Sequence, residues 1–550
     1  MGMTNTLTAL NLKKLKGYAD WKLLLFLLLF LNVKLIVKVI AIVIIYLLQR
    51  NFKFGFKLKN SRLPLFYLLI IPIAFVGLIV NNDYHNTNYI ILFLLGISCW
   101  LLAILAAHQI KLLVDNTATE KIDHTLIVFF IINAIVSVGN LLFIIWQTGS
   151  INPYTFTGLN QQYFINTGDN IKGITFDISS TNAVLCAFGV FYFLLKNNFT
   201  MLMVCMTILL LTYSNLITLI FVFILLLVFI FKSTRGQKSM ILVCLVLYVV
   251  FLAKISPQNE NYINQGIAST FFKKKKFIPD EPHPAALTLG IKKADSSLTP
   301  EGKRRKIAKT YLDSIATLKM QKEHPVVLTA KAIPLTNGGK IFIAPPPLTP
   351  QNYISHDTLP DRKQLLDFIS LHKAELPISS QDKLPALPGK LGGAIQTIRY
   401  LKLHPQKSIV GLGLGNFSSK IAFRAAGAGI RGGYSPKYVY INPAFMANHL
   451  DLYLSFFSKH IGFRSVRNNP YSVYDQMLSE YGFLGLFAFL FYYLWFFAKH
   501  YKTLTYGLPI LLLTIGILFI DYWFEQLSVL VFFELMLFLN IKETAVTYAD

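Results

Sequence analysis

Two segments, HPQKSIVGLGLGNF at residues 404–417 and NNPYSVYDQMLSEYGFLG at residues 468–485, bracket the stretch around which this chain is organised. The first contains a turn in which glycine occupies alternate positions. Glycines in this pattern permit positive φ angles and close approach of the backbone to a ligand. We therefore predict that the turn contacts a bound substrate through Gly411, Gly413, Gly415 and Asn416.

The second segment carries polar side chains directly before the apolar run 483–497. Polar groups at the mouth of a membrane helix are candidates for handling a lipid headgroup. The residues concerned are Tyr471, Tyr474, Asp475 and Glu480.

The composition predicts an all-α integral membrane protein. Of 550 residues, 54% are hydrophobic and only 14% are charged, whereas a soluble chain of this size would carry more charge. The net charge of +25 does not indicate a nucleic-acid partner, because the basic residues lie in loops beside apolar runs and in one polar insertion.

The apolar runs predict about twelve transmembrane helices. The first two form a hairpin within residues 22–48, because one long helix would place Lys34 and Lys38 near the bilayer centre at about 2.5–3.5 kcal/mol each. The other runs lie near 63–81, 88–109, 124–146, 179–195, 199–213, 215–231, 239–254, 483–498, 504–520 and 523–540.

Loop charges predict how these helices are oriented in the membrane. The loops 50–62 and 232–238 are basic and therefore cytoplasmic, whereas 82–87 is not basic. Alternation then puts 82–87, 147–178 and the large loop between the ninth and tenth helices outside, with both termini cytoplasmic.

The predicted domains follow from this topology. Residues 1–254 hold the first nine helices, and 255–390 form a polar, basic, proline-rich extracytoplasmic insertion. Residues 391–482 form an extracytoplasmic functional segment, and 483–550 hold the last three helices and a cytoplasmic tail.

The sequence lacks the motifs of several common nucleotide-binding and metal-binding sites. The sequence has no P-loop, no HExxH and no Asp-x-Asp, and its glycine turn lacks the G-x-G-x-x-G spacing. The four cysteines lie inside apolar runs, and the eleven histidines show no ligand spacing. We therefore expect no metal and no cofactor.

With its many helices, its large outer loop, its G-x-G-x-G-N-F turn and its E-x-G-x-x-G ending, the chain resembles the O-antigen ligase and O-antigen polymerase superfamily. The ligase signature is matched by Ser472, Gly482 and Gly485, but its histidine position holds Tyr471, which favours a polymerase. The R-x15-G spacing of polymerases is matched by Arg399 and Gly415.

The resemblance implies a fold like that of the C-type glycosyltransferases and a metal-independent transfer of glycan from a polyprenyl diphosphate to an acceptor hydroxyl on the outer membrane face. The acceptor would be a glycan or a lipid A-core-like molecule, and polysaccharide assembly proteins are possible partners alongside membrane lipid. It also implies a basic residue before the sixth helix, which Lys172 matches.

The leaving diphosphate develops negative charge, which guanidinium groups neutralise well. Around the turn the sequence offers Arg399, Arg424, Arg431, Arg464 and Arg467. The acceptor hydroxyl needs a base within hydrogen-bond reach. The candidate catalytic residues are His449, Asp475, Glu480 and Tyr471.

Three alternatives stay open. A transporter or flippase of a lipid-linked glycan would be expected to show paired repeats and broken helices. A membrane-embedded protein O-oligosaccharyltransferase would use the same donor on protein hydroxyls. A sensor or assembly scaffold would carry a compact outer domain, which the polar insertion does not resemble.

Overall fold

The computed structural model describes most of the apolar parts of the chain and only small parts of the insertion. The described residues are 17–155, 167–256, 331–334, 340–343, 388–426, 440, 442–449, 452 and 469–547. Outside one antiparallel hairpin, in which Lys331 pairs with Ile343, all described regular elements are helices. Its strands are β1 (Lys331–Pro334) and β2 (Lys340–Ile343).

The described residues before the insertion form nine α-helices, in the positions that the apolar runs predict. They are α1 (Trp21–Phe30), α2 (Leu35–Gln49), α3 (Phe66–Val80), α4 (Thr87–Asn116), α5 (Thr119–Thr148), α6 (Ser179–Leu195), α7 (Phe199–Leu211), α8 (Asn215–Phe231) and α9 (Arg235–Val250), the last continued by a π-helical turn.

The described residues after the insertion form eight further helices. They are α10 (Gly389–Leu403), α11 (Lys420–Ala426), α12 (Pro443–Asn448), α13 (Val473–Phe489), α14 (Trp495–Ala498), α15 (Gly507–Ile517), α16 (Trp523–Gln526) and α17 (Ser528–Thr547). A π-helical segment at Leu490–Leu494 joins α13 to α14.

The α1–α2 hairpin is confirmed, and its buried lysine has a specific role. The Nζ of Lys38 donates to the carbonyl of Phe30 at 2.7 Å and to the hydroxyl of Ser528 at 2.9 Å. A cation is favourable at the C-terminus of α1, where carbonyl groups lack helical partners. Lys38 therefore fastens the first hairpin to the start of α17.

Helix α17 lies in the centre of the bundle. Its residues 529–539 are buried on every side, as expected for a helix surrounded by other helices. It packs against α4, α6 and α15. The single acid in this stretch, Glu534, accepts a hydrogen bond from Tyr67 at 2.5 Å.

Four described helices are long and apolar enough to cross a membrane: Thr87–Asn116, Thr119–Thr148, Arg235–Ile255 and Val473–Ala498. Shorter apolar helices accompany them. The last of the four begins ten residues before the predicted start of the tenth span at 483, because residues 473–481 are already helical.

Contacts between loops divide the described connections into two groups. In one group Asn416 contacts Asp83, and Asn152 contacts the carbonyl of Ile255. All four residues belong to segments that the charge pattern predicts to be extracytoplasmic.

The second group joins segments that the charge pattern predicts to be cytoplasmic. Arg62 donates two hydrogen bonds to Asp115, at 3.0 and 2.8 Å. Lys232 donates to the carbonyl of Leu504 at 3.1 Å. The loops therefore meet in the combinations that the predicted alternation requires.

Candidate functional site

Helix α13 is interrupted at Gly482, where φ is +67° and ψ is −164°. The interruption leaves backbone N–H groups of the next turn without helical acceptors. Carbonyl groups of the residues just before the glycine turn accept their hydrogen bonds instead. Phe483 N donates to Ser408 O at 2.8 Å, and Leu484 N donates to Ile409 O at 3.1 Å. Non-helical backbone inside a membrane protein is stable only when its polar groups find partners in this way.

The carboxylate of Glu480, two residues before the interruption, holds the loop that leads into α11. Its Oε2 accepts from Gly415 N at 2.7 Å. Its Oε1 accepts from the backbone nitrogens of Phe417, Ser418 and Ser419 at 2.9, 3.1 and 3.0 Å. Four backbone donors on one carboxylate show that Glu480 is satisfied within the protein, so it is a weaker base candidate than the sequence suggests.

The amides of the glycine turn are therefore occupied within the protein. Gly411 N donates to Lys407 O at 2.8 Å, and Gly413 N donates to Glu480 O at 3.0 Å. All three glycines have positive φ angles, as the alternation of glycine predicts. The third amide, that of Gly415, donates to the protein's own Glu480, in place of the bound substrate that we expected there.

Three polar side chains meet beneath this loop. The hydroxyl of Ser418 donates to Asp475 Oδ2 at 2.6 Å and lies 3.2 Å from Nε2 of His449. The Nδ1 of His449 lies 2.6 Å from the side-chain amide of Gln396. His449 and Ser418 are almost fully buried, whereas Asp475 retains 6% exposure.

The protonation states of the hydrogen-bonded side chains Ser418, His449 and Asp475 follow from their geometry. Nδ1 of His449 faces the Oε1 atom of Gln396, which can only accept, so the neutral ring carries its proton on Nδ1. Nε2 is then left as an acceptor that faces the hydroxyl of Ser418, whose proton goes to Asp475. Burial lowers the pKa of His449 to about 3, so the imidazole is neutral at physiological pH. The neutral ring can orient Ser418, but it holds no positive charge.

Helix α10 covers Asp475 from one side. A Cβ at Gly393 would lie only 3.3 Å from Asp475 Oδ2, so the absence of a side chain at this position avoids a close contact with the carboxylate. The Oδ1 atom of Asp475 is buried and accepts no hydrogen bond in the described part of the chain, although the hydroxyl of Thr397 also lies beside this carboxyl group. An ionised oxygen without a donor is available to take a proton, so Asp475 is the strongest base candidate of the site.

The two described arginines of the predicted set lie on the helices that flank the glycine turn. Arg399 is exposed on α10, three residues after Gln396 and hence on a neighbouring part of the helix surface. Arg424 is half-buried on α11 and is attracted by Glu525. Arg431, Arg464 and Arg467 lie outside the described residues.

Tyr471 is a packing residue of this region. It is buried, and its ring lies 4.5 Å from that of Tyr522 and 5.6 Å from that of Phe423. Its carbonyl accepts from Lys390 Nζ at 3.0 Å. Lys390 also donates to the carbonyls of Asn469 and Ile520, so it ties the segment before α13 to the end of α15.

Asn416 joins the turn to the α3–α4 loop. Its Nδ2 donates to Asp83 Oδ2 at 2.7 Å and to Leu412 O at 2.8 Å. Partial burial raises the pKa of Asp83 to about 6, although Asn416 and Lys407 oppose the shift.

Lys172 belongs to another polar cluster, in the loop before α6. This loop is held by Asn133, whose Oδ1 accepts from Ile174 N at 3.0 Å, and by Asn140, whose Oδ1 accepts from Gly173 N at 3.2 Å. This cluster contacts α5, α6 and the α1–α2 connection, where Val33 N donates to Thr175 O. None of its described hydrogen bonds reaches Ser418, His449 or Asp475.

Sequence reasoning missed Ser418, Gln396 and Thr397. Ser418 follows the G-N-F motif directly but belongs to no spacing pattern, and Gln396 and Thr397 precede Arg399 on an ordinary helical stretch. Only tertiary packing brings Ser418 and Thr397 to Asp475 and Gln396 to His449. In the described part of the chain, no group of three or more His, Cys, Asp or Glu side chains is placed to hold a metal ion.

Comparison of the chain with protein-family models, with curated proteins and with solved structures found no match.

Proposed function

We propose that the chain is a membrane glycosyltransferase that polymerises or ligates a surface polysaccharide, with a polyprenyl-diphosphate-linked glycan as the donor. The observation that carries the proposal is the buried Ser418–His449–Asp475 chain beside an interrupted membrane helix. Such a site, with a free carboxylate oxygen, suits proton removal from an acceptor hydroxyl.

In the proposed reaction, Asp475 Oδ1 takes the proton of the acceptor hydroxyl. The acceptor oxygen forms a bond to the anomeric carbon of the donor glycan, and the bond from that carbon to the diphosphate oxygen breaks. The polyprenyl diphosphate leaves with the bonding electrons. Arg399 and Arg424 stabilise the charge that develops on it, in the way that preorganised cations do at other transferring groups.

The proposed setting is a bacterial cytoplasmic membrane, with about twelve helices crossing it, both termini in the cytoplasm and the site on the outer face. The two groups of loop contacts agree with the proposed division of the loops between two sides, and the loop charges suggest which side is cytoplasmic. The glycine turn contacts the α3–α4 loop, and the charge pattern assigns both to the outer side.

The test uses purified full-length protein in liposomes that contain polyprenyl-diphosphate-linked oligosaccharide. Wild-type protein should lengthen or transfer the glycan and release polyprenyl diphosphate, as seen by mass spectrometry. Asp475→Asn keeps an acceptor for Ser418 but removes the base, and it should lose transfer. Asp123→Asn, at a half-exposed ion pair with Lys196, is the matched control and should retain it. Full transfer by Asp475→Asn contradicts the assignment.

A second candidate is a transporter of the same lipid-linked glycan. The interruption at Gly482 and the buried Lys38 and Glu534 favour it, because transporters use broken helices and intramembrane charges. The same liposomes discriminate between the two functions. Movement of a fluorescent lipid-linked glycan between leaflets, without new glycosidic bonds, would support the transporter.

A further inference from the structure

The loop between α2 and α3, residues 50–62, is strongly basic and is held in a fixed shape. It contains five Lys or Arg residues and no acid. One of them, Arg62, is neutralised by Asp115. The other four make no ion pair within the described part of the chain: Arg50, Lys53, Lys57 and Lys59.

Several contacts fasten the backbone of this loop. His108 Nε2 lies 3.0 Å from the carbonyl of Lys53, and the ring of Phe54 stacks on His108 at 4.3 Å. Arg62 N donates to Gly55 O at 3.2 Å, and Gly55 has a φ of +71°. A loop that served only to set membrane orientation would need its charge but no fixed conformation. This loop is held in place by contacts with His108 of α4.

The apolar residues of the loop divide into two sets. Phe54 and Phe56 pack against the core, whereas Phe52 is 68% exposed and Leu58 is 94% exposed. The loop follows α2, whose outward side chains such as Leu47 are also exposed and apolar. Exposed apolar side chains among unpaired cations at the end of a membrane helix match the boundary between lipid headgroups and acyl chains.

We propose that residues 50–62 bind anionic phospholipid headgroups. In this arrangement Lys53, Lys57 and Lys59 contact the phosphates, while Phe52 and Leu58 enter the boundary of the acyl chains. The ligand class follows from the charge, because an unpaired cation near an anionic membrane surface favours binding by about fivefold. The inference is independent of the proposed transfer reaction, and its test needs no activity.

The experiment places a reporter on the loop of the full-length protein. The four native cysteines are buried, so a thiol-reactive fluorophore should label Leu58→Cys selectively. The protein is reconstituted in bilayers of phosphatidylglycerol and phosphatidylcholine, in which one lipid or the other carries bromine as a quencher. We expect brominated phosphatidylglycerol to quench more strongly at equal mole fraction, and high salt to reduce the difference.

Two triple variants distinguish an effect of this loop from an effect of the protein's overall positive charge. The variant K53Q/K57Q/K59Q should lose the preference, by roughly fivefold for each lysine. The variant K238Q/K499Q/K502Q removes the same charge from the start of α9 and from the α14–α15 connection, and it should keep the preference. Equal quenching by both lipids, quenching by neither, or a preference that survives K53Q/K57Q/K59Q would each overturn the proposal.

Discussion

The carboxylate of Glu480 lies 2.7 Å from the backbone nitrogen of Gly415, sixty-five residues earlier in the chain. Through this contact and three more amides, an acid on a membrane helix shapes the loop that carries Ser418. The glycine turn and the E-x-G-x-x-G segment are therefore two halves of one structure.

Replacing Glu480 should destabilise the protein. In Glu480→Ala four buried amides lose their acceptor, at about 1–3 kcal/mol each, so the loss should reach at least roughly 4 kcal/mol. Glu480→Gln keeps one oxygen and should be intermediate. Melting in detergent can be followed by a thiol-reactive dye, which reports exposure of the four buried cysteines. Glu543→Gln is the control for loss of a half-buried acid, and an unchanged melting temperature in Glu480→Ala would contradict a structural role.

Alanine at Gly482 should be poorly tolerated. A Cβ there would lie 2.6 Å from the backbone nitrogen of Gly411, and the residue's φ of +67° with an extended ψ is a region nearly exclusive to glycine. Backbone strain alone costs about 1–3 kcal/mol. Gly139→Ala is the matched control, because a Cβ at Gly139 meets nothing within 4 Å. We expect a lower yield and melting temperature only for Gly482→Ala, and equal behaviour of both variants would speak against the interrupted helix.

His449 should make stability depend on pH in one direction. Burial lowers its pKa in the folded protein from 6.5 to about 3, so between these values the unfolded chain binds more protons. The stability associated with neutral His449 is present above pH 6.5 and is lost as pH falls toward 3. The difference in melting temperature between wild type and His449→Gln should therefore shrink from pH 7.5 to pH 4.5. A difference that stays constant would show that His449 titrates normally.

The arginines beside the turn should act on rate more than on folding. If Arg399 and Arg424 hold the diphosphate, replacing either by alanine removes charge-assisted bonds worth about 1.5–3 kcal/mol. Transfer should slow by roughly tenfold to over a hundredfold. Lysine should rescue only in part, since it lacks the planar fork. The assay is glycan transfer at matched protein level. Wild-type rates in both alanine variants would contradict the assignment of Arg399 and Arg424 and would make Lys172 and the segment 464–467 the next candidates for diphosphate binding.

Topology can be tested with two exposed lysines, Lys402 on the side predicted to be extracytoplasmic and Lys53 on the side predicted to be cytoplasmic. A membrane-impermeant thiol reagent should label Lys402→Cys in intact cells and should label Lys53→Cys only after the cells are opened. The native cysteines are buried and give little background. Labelling of Lys53→Cys alone in intact cells would invert the orientation and remove the site from the outer face.

The apolar helices of this protein lie near the positions that its sequence predicts. Apolar length predicts where they lie, and the cost of Lys34 and Lys38 in a bilayer predicts the first hairpin. Glycine at positions 411, 413 and 415 predicts the positive φ angles of the turn. These are local properties, set by side-chain polarity and by the absence of a Cβ.

The partners of the polar residues were decided by tertiary structure. Nothing in the spacing of Glu480 shows that it binds the amides of its own glycine turn, and nothing near Ser418 shows that it would meet His449 and Asp475. A hydrogen bond depends on positions within a few tenths of an ångström, whereas polarity patterns specify only which side of a helix is buried. The packing of α10, α12 and α13 around the turn supplies those positions.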